Sequence, residues 1–411
     1  MNPVVYAIAT MDTKGEELAF VAQCLRAAGV QVKTVDAGTR SEPTVTPDVS
    51  RERVLGAGTL PPGNDRGAAV TAMGEALTSW LQNEYLARRV AGVVAIGGSG
   101  GTALVTAAMR ALPIGLPKLM VSTMASGNVA PYVDCSDITM MYSVVDVAGL
   151  NVVSEKILGN AAHAMAGMVS HKLAAPENRP ALGMTMFGVT TPCVTAVRKA
   201  LEAKGYDCLV FHATGSGGRA MEQLVDSGLI CGVLDVTTTE VADEVVGGVL
   251  PAGPHRFEKL LTSGVPLMLS VGALDMVNFG AIESVPQQFR KRTLHVHNAQ
   301  VTLMRTNEKE NRQIARWIAD KLNQSTAPLA LLIPEGGVSM LDAPQQPFYD
   351  PDANAALFDE LEKQIQQTSE RLIVRVPHHI NDPEFATALV ERFEALCTAV
   401  SDCSTTTSER P

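Results

Sequence analysis

The sequence predicts an α/β protein of two doubly wound, Rossmann-like halves, with mostly parallel sheets and a cleft between them. The first observation is its composition, which is 46% hydrophobic but only 4% aromatic. A core of small aliphatic residues is typical of helices packed on a parallel sheet. The second observation is a strand, helix and strand pattern at the N-terminus. The third is a partial restart of that pattern in the second half of the chain.

The first half opens with a βαβ unit. Residues 4–10 are apolar enough for a strand, 13–28 have the periodicity of an amphipathic helix, and 30–35 form a second strand. Residues 92–96 predict another strand, which runs into "GGSGGT" at 97–102 and then a helix. Glycines directly after a strand indicate a sharp turn or a close approach of the backbone to a ligand.

Two short matches carry the repeat. "LRAAG" at 25–29 is matched by "LEAKG" at 201–205, and "GSGG" occurs at 98–101 and again at 215–218. The first GSGG follows the third strand of its half and the second GSGG follows the second strand, so the repeat is partial.

The domain boundaries follow from this repeat. We expect an N-terminal nucleotide-binding domain at 1–175, a C-terminal α/β domain at 180–400, and a polar tail at 401–411. The tail has no core-forming pattern, so we expect it to be disordered.

Charge and cysteine content exclude several classes of protein. The net charge is −10 and no basic run is interleaved with aromatic residues, so we expect no nucleic-acid partner. The longest uncharged run contains the glycine loop, so it indicates a buried strand and helix rather than a membrane span. Seven cysteines without a CxxC pair are typical of reduced thiols. We expect a cytoplasmic homo-oligomer that acts on a small molecule and has no membrane partner.

Both GSGG loops are expected at the carboxyl ends of strands, where open α/β sheets bind ligands. Free N–H groups at a helix start attract anions, and a missing Cβ lets a phosphate come close. Neither loop is followed by the lysine of the nucleoside-triphosphate motif. The predicted anion-binding residues are Gly97, Gly98, Ser99, Gly100, Gly101, Thr102, Gly215, Ser216, Gly217 and Gly218.

The loops also fit the spacing GxGxxA, and Asp235 follows the second loop by twenty residues, where a ribose-binding acid would lie. Neither loop follows the first strand of its half, as the dinucleotide motif requires. A dinucleotide site therefore remains an alternative.

The segment "ATMDTKGEE" ends the first strand. Asp12 and Thr13 suit a helix N-cap, but Lys14 is unexpected there because a cation opposes the helix dipole. An anion bound at that terminus would make the lysine favourable. We therefore predict that Lys14 contacts a phosphate.

A long segment at 122–151 mixes polar and apolar residues. Loop capping explains any single polar residue, but together they favour the wall of a site, because buried polar groups need partners. We expect Ser122, Thr123 and Ser126 to face a ligand. Asp134 and Asp137 are the predicted Mg²⁺ ligands, since carboxylate oxygens suit this cation.

The second half offers candidate catalytic groups. Glu240 follows a run of threonines at a strand end, where it fits either a first helical turn or a carboxylate facing the cleft. Glu335 also follows a strand and is a candidate general base, although loop carboxylates are usually only solvated. His297, with Asn298 and Arg305, could donate hydrogen bonds to a ligand.

His295 and His297 alternate on an expected strand and so would share one face. No third ligand has a recognisable spacing, so we predict that zinc is not bound stoichiometrically.

Five ordered motifs carry a family resemblance. These are "IATMDTKGEE", "GGSGGT", "STMASGNVAPYVDCSDITMMYSVVDVAGLN", "HNAQVTLMRTNEKE" and "IPEGGVSMLDAPQQPFYDP". Together they resemble the tobamovirus-resistance-protein-like ATP-binding family over nearly all of residues 1–400. The resemblance implies two α/β subdomains and an ATP site in the first, near the cleft. The implied ATP contacts are Asp12, Thr13, Lys14, the 97–102 loop and residues 122–126.

The resemblance also implies a partner, because plant members carry an additional barrel domain that in bacteria is a separate protein. It supplies no reaction. We predict an ATP- and Mg²⁺-binding enzyme that acts on a small polar metabolite by phosphoryl transfer or activation, with Glu240, His297 and Glu335 as catalytic candidates. The alternatives are a nucleotide-sensing regulatory or partner-binding module and a dinucleotide-dependent oxidoreductase.

Overall fold

The structure is a computed structural model that describes residues 3–61, 65–171 and 179–406. The chain divides between Pro176 and Glu177 into two compact units. Unit 1 is the N-terminal unit and unit 2 is the C-terminal unit.

Unit 1 contains one parallel sheet of five strands in the order β2-β1-β3-β4-β5. Its elements in chain order are β1 Val4–Ala9, α1 Met11–Ala27, β2 Val32–Asp36, α2 Arg51–Leu55, α3 Arg66–Leu86, β3 Val90–Gly97, α4 Ser99–Arg110, β4 Lys118–Ser122, α5 Ala130–Val133, β5 Thr139–Tyr142 and α6 Val152–Ser170.

Helices cover both faces of this sheet because successive side chains of a strand point to opposite sides. Val5 and Ala7 of β1 pack in the same core as residues of α1 and α6. Tyr6 and Ile8 pack on the other face with α3 and α4. A parallel strand buried on both faces is continuously apolar, which explains why residues 4–9 contain no charged side chain.

Unit 2 contains a six-stranded parallel sheet in the order β14-β13-β9-β8-β6-β7 and a three-stranded antiparallel sheet in the order β10-β12-β11. Its elements are β6 Ala181–Met186, α7 Thr191–Glu202, β7 Asp207–His212, α8 Ser216–Asp226, β8 Gly232–Thr237, α9 Thr239–Val246, α10 Glu258–Thr262, β9 Leu267–Gly272, β10 Met276–Phe279, β11 Leu294–Asn298, β12 Val301–Arg305, α11 Glu308–Leu322, β13 Leu329–Pro334, α12 Pro351–Gln364, β14 Arg371–Val376 and α13 Pro383–Thr406.

The two units share a strand order. In unit 1 the first strand lies between the second and the third, and in unit 2 β6 lies between β7 and β8 in the same way. This confirms the predicted α/β class with two doubly wound, Rossmann-like halves and mostly parallel sheets. Of the antiparallel sheet, only a strand at His295 and His297 was expected, because the short strands β10 and β12 lack a clear alternation of apolar and polar residues.

The C-terminus differs from the prediction of a tail from Ser401. Helix α13 continues to Thr406, and residues 407–411 lie outside the described part of the chain. Among the described helices, none is both long enough and apolar enough to cross a membrane.

Candidate functional site

The carboxyl ends of β1, β3 and β4 form the candidate site of unit 1. The chain leaves β1 for α1 on one face of the sheet and leaves β3 for α4 on the other face. The strand order therefore reverses between β1 and β3, and open α/β sheets bind ligands in the crevice at such a point. The predicted residues at 12–14 and 97–102 follow these two strands, and 122–126 follow the adjacent β4.

Three glycines of the first glycine loop have room for a Cβ atom. Built Cβ atoms on Gly98, Gly100 and Gly101 would have their nearest neighbours at 3.9, 3.6 and 3.9 Å, which are ordinary contacts. None of the three has a positive φ. Neither packing nor backbone conformation therefore requires glycine there, although glycine inside a helix costs about 1 kcal/mol relative to alanine.

Gly97 is different, because its Cβ would lie 3.2 Å from the backbone of Gly101 and Thr102. It lets the start of α4 pack against the end of β3. Helix α4 has Gly98 at its N-cap, with no side-chain cap and no acidic residue in its first turn. The first N–H groups of α4 are therefore available to an anion.

Two buried hydroxyl groups hold the loop in position. Thr102 Oγ1 donates to Gly98 O at 2.8 Å and lies 2.6 Å from Ser122 Oγ, which accepts from Met124 N at 2.9 Å. Thr102 and Ser122 are both fully buried. The structure thus makes Thr102 and Ser122 positioning residues. Thr123 is half-buried and Ser126 is exposed, and both follow the carboxyl end of β4.

Lys14 lies near the start of α1, soon after β1, and has no counter-ion among the described residues. Lys14 is half-buried, and within the described residues its side chain has no hydrogen bond or ion pair. Its backbone is non-helical, with φ −131° and ψ 18°, so α1 is kinked there. Asp12 accepts a hydrogen bond from Arg40 N at 3.2 Å, and Thr13 is exposed. Thr10, rather than Asp12 or Thr13, occupies the N-cap position.

Arg66 is a residue that sequence reasoning missed. Its Nη2 atom lies 3.6 Å from the position that a Cβ on Gly100 would take. The guanidinium group is exposed and, among the described residues, has no carboxylate partner. It therefore lies as a second cation over the first turn of α4. Only the packing of α3 against α4 brings it there, and nothing in the sequence around Arg66 could have shown it.

Asp36 ends β2, where many dinucleotide-binding sheets place the acid that binds ribose. Here Oδ1 accepts from Met11 N at 3.1 Å and Gly38 N at 2.7 Å, and Oδ2 accepts from Arg51 Nε at 2.7 Å. Both oxygens are used to hold the loop after β2 against the start of α1. This carboxylate is not free for a ribose hydroxyl.

The structure places Asp137, one of the two predicted magnesium ligands, away from the glycine loop. Asp137 pairs with Lys118 at 2.6 Å and accepts from Gly115 N at 2.8 Å. Lys118 begins β4, so Asp137 lies at the amino edge of the sheet, opposite the glycine loop. Asp134 lies at the end of α5 with φ 45°. Within the described residues, no three His, Cys, Asp or Glu side chains form a metal-binding group.

The second glycine loop is filled by the protein itself. A Cβ on Gly217 would overlap the carbonyl of His212, and one on Gly218 would overlap Glu240 Oε1 and Arg256 Nε. Gly215 has φ 80° and donates its N–H to Glu240 Oε2 at 2.8 Å. Close packing explains the glycines at 215, 217 and 218, unlike those of the first loop.

Arg256 is the centre of a buried ionic cluster in unit 2. Its guanidinium donates to Glu240, Glu222 and Asp235 at 2.6, 2.7 and 2.6 Å, and all four side chains are buried. Burial raises the pKa of both Glu222 and Asp235, although the arginine opposes this shift. Glu240, predicted to be catalytic, is inaccessible here, and Asp235 is not free to bind ribose.

The remaining candidates lie apart from this cluster. His297 is exposed near the end of β11, next to a register shift after Val296, so it does not alternate regularly with His295. Arg305 is buried and donates to Phe348 O at 2.7 Å and Asn354 Oδ1 at 2.8 Å, so it has a structural role. Glu335 lines an open pocket of unit 2.

The fold and this site define a class of protein, namely a two-unit α/β protein with a glycine loop at the switch point of its first parallel sheet. Two models of the Uncharacterised protein family (UPF0261) match this chain. The model of the N-terminal domain matches residues 3–174, and the model of the C-terminal domain matches residues 179–397. The chain belongs to this family.

Two relatives illustrate the match. A UPF0261 protein of Rhizobium meliloti is 55% identical over 95% of this chain and 98% of its own length. The ToMV resistance protein Tm-1(GCR237) of Solanum lycopersicum is 46% identical over 95% of this chain but only 55% of its own length. The resemblance found in the sequence is thus confirmed at the level of the family.

Solved structures match the chain only weakly. The glycosyltransferase SsfS6 of Streptomyces sp. SF2575, complexed with thymidine diphosphate, is 12% identical, covers 65% of this chain and 82% of its own, and has a TM-score of 0.19. Such a likeness carries no inference about function.

Proposed function

We propose that unit 1 binds ATP at the carboxyl ends of β1, β3 and β4, with the phosphates on the first turn of α4. The observation that carries the proposal is the first glycine loop at the start of α4. Gly100 and Gly101 lie inside this helix at a conformational cost, although a Cβ atom at either position would make only ordinary contacts. A glycine backbone at a helix N-terminus lets a phosphate come close.

Unbalanced charge at the same edge supports an anionic ligand. Lys14 and Arg66 are cations without carboxylate partners in the described part of the chain, and Arg66 lies over the positive end of a helix. An unpaired cation at a helix N-terminus is unfavourable unless an anion lies between them. Polyphosphate supplies the two or more negative charges that such a site would neutralise.

Magnesium would then arrive with the nucleotide. Mg²⁺ usually keeps several waters and is bound through phosphates and one or two carboxylates, so a preformed cage of protein ligands is not needed. Asp12 is a carboxylate at this edge, and its Oδ1 accepts no hydrogen bond within the described residues, whereas Oδ2 accepts from Arg40 N. We therefore replace Asp137 with Asp12 as the proposed magnesium contact.

The dinucleotide alternative is less well supported, because Asp36 and Asp235 are both occupied by other groups. We therefore favour an ATP-dependent enzyme that transfers a phosphoryl group to a small polar metabolite or activates it. A nucleotide-sensing module is the alternative without turnover.

Thermal unfolding with ligands tests the proposal. ATP with Mg²⁺ is expected to raise the melting temperature, since a ligand that binds only the folded state stabilises it by mass action. NAD is expected to have a smaller effect, and stronger stabilisation by NAD would contradict the ATP proposal. ATP consumption with a metabolite panel then separates the enzyme from the sensing module.

A further inference from the structure

Unit 2 contains an open pocket of about 360 Å³ between α12 and the carboxyl ends of β13 and β14. The α12 residues that line it recur at helical spacing on one face, namely Pro351, Asn354, Ala355 and Phe358. Glu335 and Gly336 follow β13, Arg375 lies on β14, and Pro344 and Tyr349 complete the rim. Its size is in the range of small-molecule sites, which start at about 300 Å³.

Glu335 and Arg375 face each other across a gap. Glu335 Oε1 lies 3.6 Å from Arg375 Nη1, which is too long for a hydrogen bond. The Glu335 carboxylate accepts no hydrogen bond from any described residue, and its side chain is 40% exposed. The pocket thus presents one unused acceptor beside one unused donor.

Arg375 is fixed in this position by other carboxylates. Its Nε donates to Glu362 at 2.8 Å and its Nη2 to Asp359 at 2.7 Å, both from α12. The guanidinium carbon also lies 5.9 Å from the centre of the Phe358 ring. These contacts leave Nη1 as the nitrogen that points towards Glu335.

The charges around the pocket restrict its ligand. An anion drawn to Arg375 would meet the carboxylates of Glu335, Asp359 and Glu362, and a cation drawn to Glu335 would meet Arg375. A neutral hydroxyl avoids both costs, because it donates to a carboxylate and accepts from a guanidinium at the same time. Phe358, Pro344 and Pro351 supply apolar walls for a carbon skeleton.

We propose that this pocket binds a neutral, hydroxyl-bearing small molecule, one hydroxyl group of which bridges Glu335 and Arg375. The phenol of Tyr349, which has no hydrogen-bond partner among the described residues, offers a further contact at the rim. The proposal concerns residues of unit 2 and the nucleotide proposal concerns residues of unit 1, so the failure of one does not decide the other.

Calorimetric titration without nucleotide tests the proposal. D-Glucose, D-glucosamine and D-glucuronate share a pyranose ring but are neutral, cationic and anionic, and myo-inositol and glycerol serve as further neutral probes. At least one neutral probe is expected to bind, and glucose is expected to bind more tightly than both charged analogues. The proposal is wrong if no neutral probe binds or if a charged analogue binds more tightly than glucose.

Variants connect the binding to this pocket. Glu335→Gln removes a charge-assisted hydrogen bond and is expected to weaken binding of the neutral probe about 10-fold or more. Tyr349→Phe, which keeps the ring, is expected to weaken it less. Glu370→Gln, an exposed change outside the pocket, is the matched control. Equal affinities of Glu335→Gln and the control would overturn the assignment.

Discussion

Thr102 Oγ1 and Ser122 Oγ lie 2.6 Å apart in the buried interior beside the first glycine loop. Because the Thr102 hydroxyl donates to Gly98 O, the Ser122 hydroxyl must be the donor to Thr102. Ser122 in turn accepts from Met124 N. One ordered chain of hydrogen bonds therefore links the turn after β4 to the N-cap of α4.

Replacing Ser122 with alanine should destabilise the protein. It would leave the Met124 N–H without its acceptor and Thr102 without its donor, and an unsatisfied buried group costs about 1–3 kcal/mol. The free energy of unfolding in urea is the measurement. Ser126→Ala, at an exposed position of the same turn, should change it by less than about 0.5 kcal/mol. Equal effects of the two changes would mean that the buried chain has no special role.

Alanine substitutions in the two glycine loops should have opposite effects on the stability of the unliganded protein. Gly101→Ala adds a methyl group that makes only an ordinary contact and lies within a helix, so it should leave the protein as stable or stabilise it by about 1 kcal/mol. Gly218→Ala places the methyl group on Glu240 and Arg256, so it should destabilise by about 1–3 kcal/mol or more. Thermal or urea unfolding of both variants without ligand checks this.

The same Gly101→Ala variant should weaken ATP binding, because the methyl group would occupy the space proposed for a phosphate. Calorimetric titration with ATP and Mg²⁺ provides this measurement. Unchanged affinity in a stabilised variant would leave the open glycines without a ligand-based explanation.

Lys14→Met should weaken ATP binding about 10- to 150-fold, because it removes a charge-assisted hydrogen bond of about 1.5–3 kcal/mol. The unliganded protein should keep its stability within about 0.5 kcal/mol, since Lys14 has no partner in the described residues. Titration and unliganded melting are measured side by side, with the exposed Lys309→Met as control. A large loss of unliganded stability would instead indicate a structural role.

A buried pair of aspartates predicts a pH dependence in unit 2. Asp275 and Asp342 are both fully buried, and one oxygen of each has no hydrogen bond. Burial, together with the neighbouring Asp342, raises the pKa of Asp275 to about 7, while Arg305 opposes the shift. Ser339 Oγ donates to the other oxygen of Asp275 at 2.7 Å.

The folded protein therefore holds a proton on Asp275 that the unfolded chain releases above its ordinary pKa of 3.8. The contribution of Asp275 to stability is complete below pH 4 and is lost as the pH rises to about 7. Asp275→Asn does not titrate, so its stability relative to the original protein should increase from pH 5 to pH 7 and then remain constant. Urea unfolding at several pH values measures the difference in unfolding free energy between Asp275→Asn and the original protein. The exposed Asp320→Asn is the control. Parallel pH profiles would contradict the prediction.

The sequence by itself determined the fold class and the edge of the sheet where ligands are expected. Local patterns specify these features, because an apolar strand, a helix with a buried face and a terminating glycine are each visible within about 20 residues. The repeat of LRAAG and LEAKG was sufficient to predict two related halves. Of the short antiparallel sheet, only the strand with His295 and His297 was expected, because the pairing of β10, β11 and β12 depends on contacts between separate segments of the chain.

Only the tertiary structure decided which candidate residues can meet a ligand. The two GSGG loops are identical in sequence, but the glycines of the first have room for a Cβ atom, whereas the second packs on Glu240 and Arg256. Asp137 appears close to Ser126 in the sequence, yet it pairs with Lys118 at the opposite edge of the sheet. Burial and the choice of partner depend on contacts between residues distant in the chain, so no local pattern contains them. For the same reason no local pattern indicates Arg66, which only the packing of α3 brings over the first turn of α4.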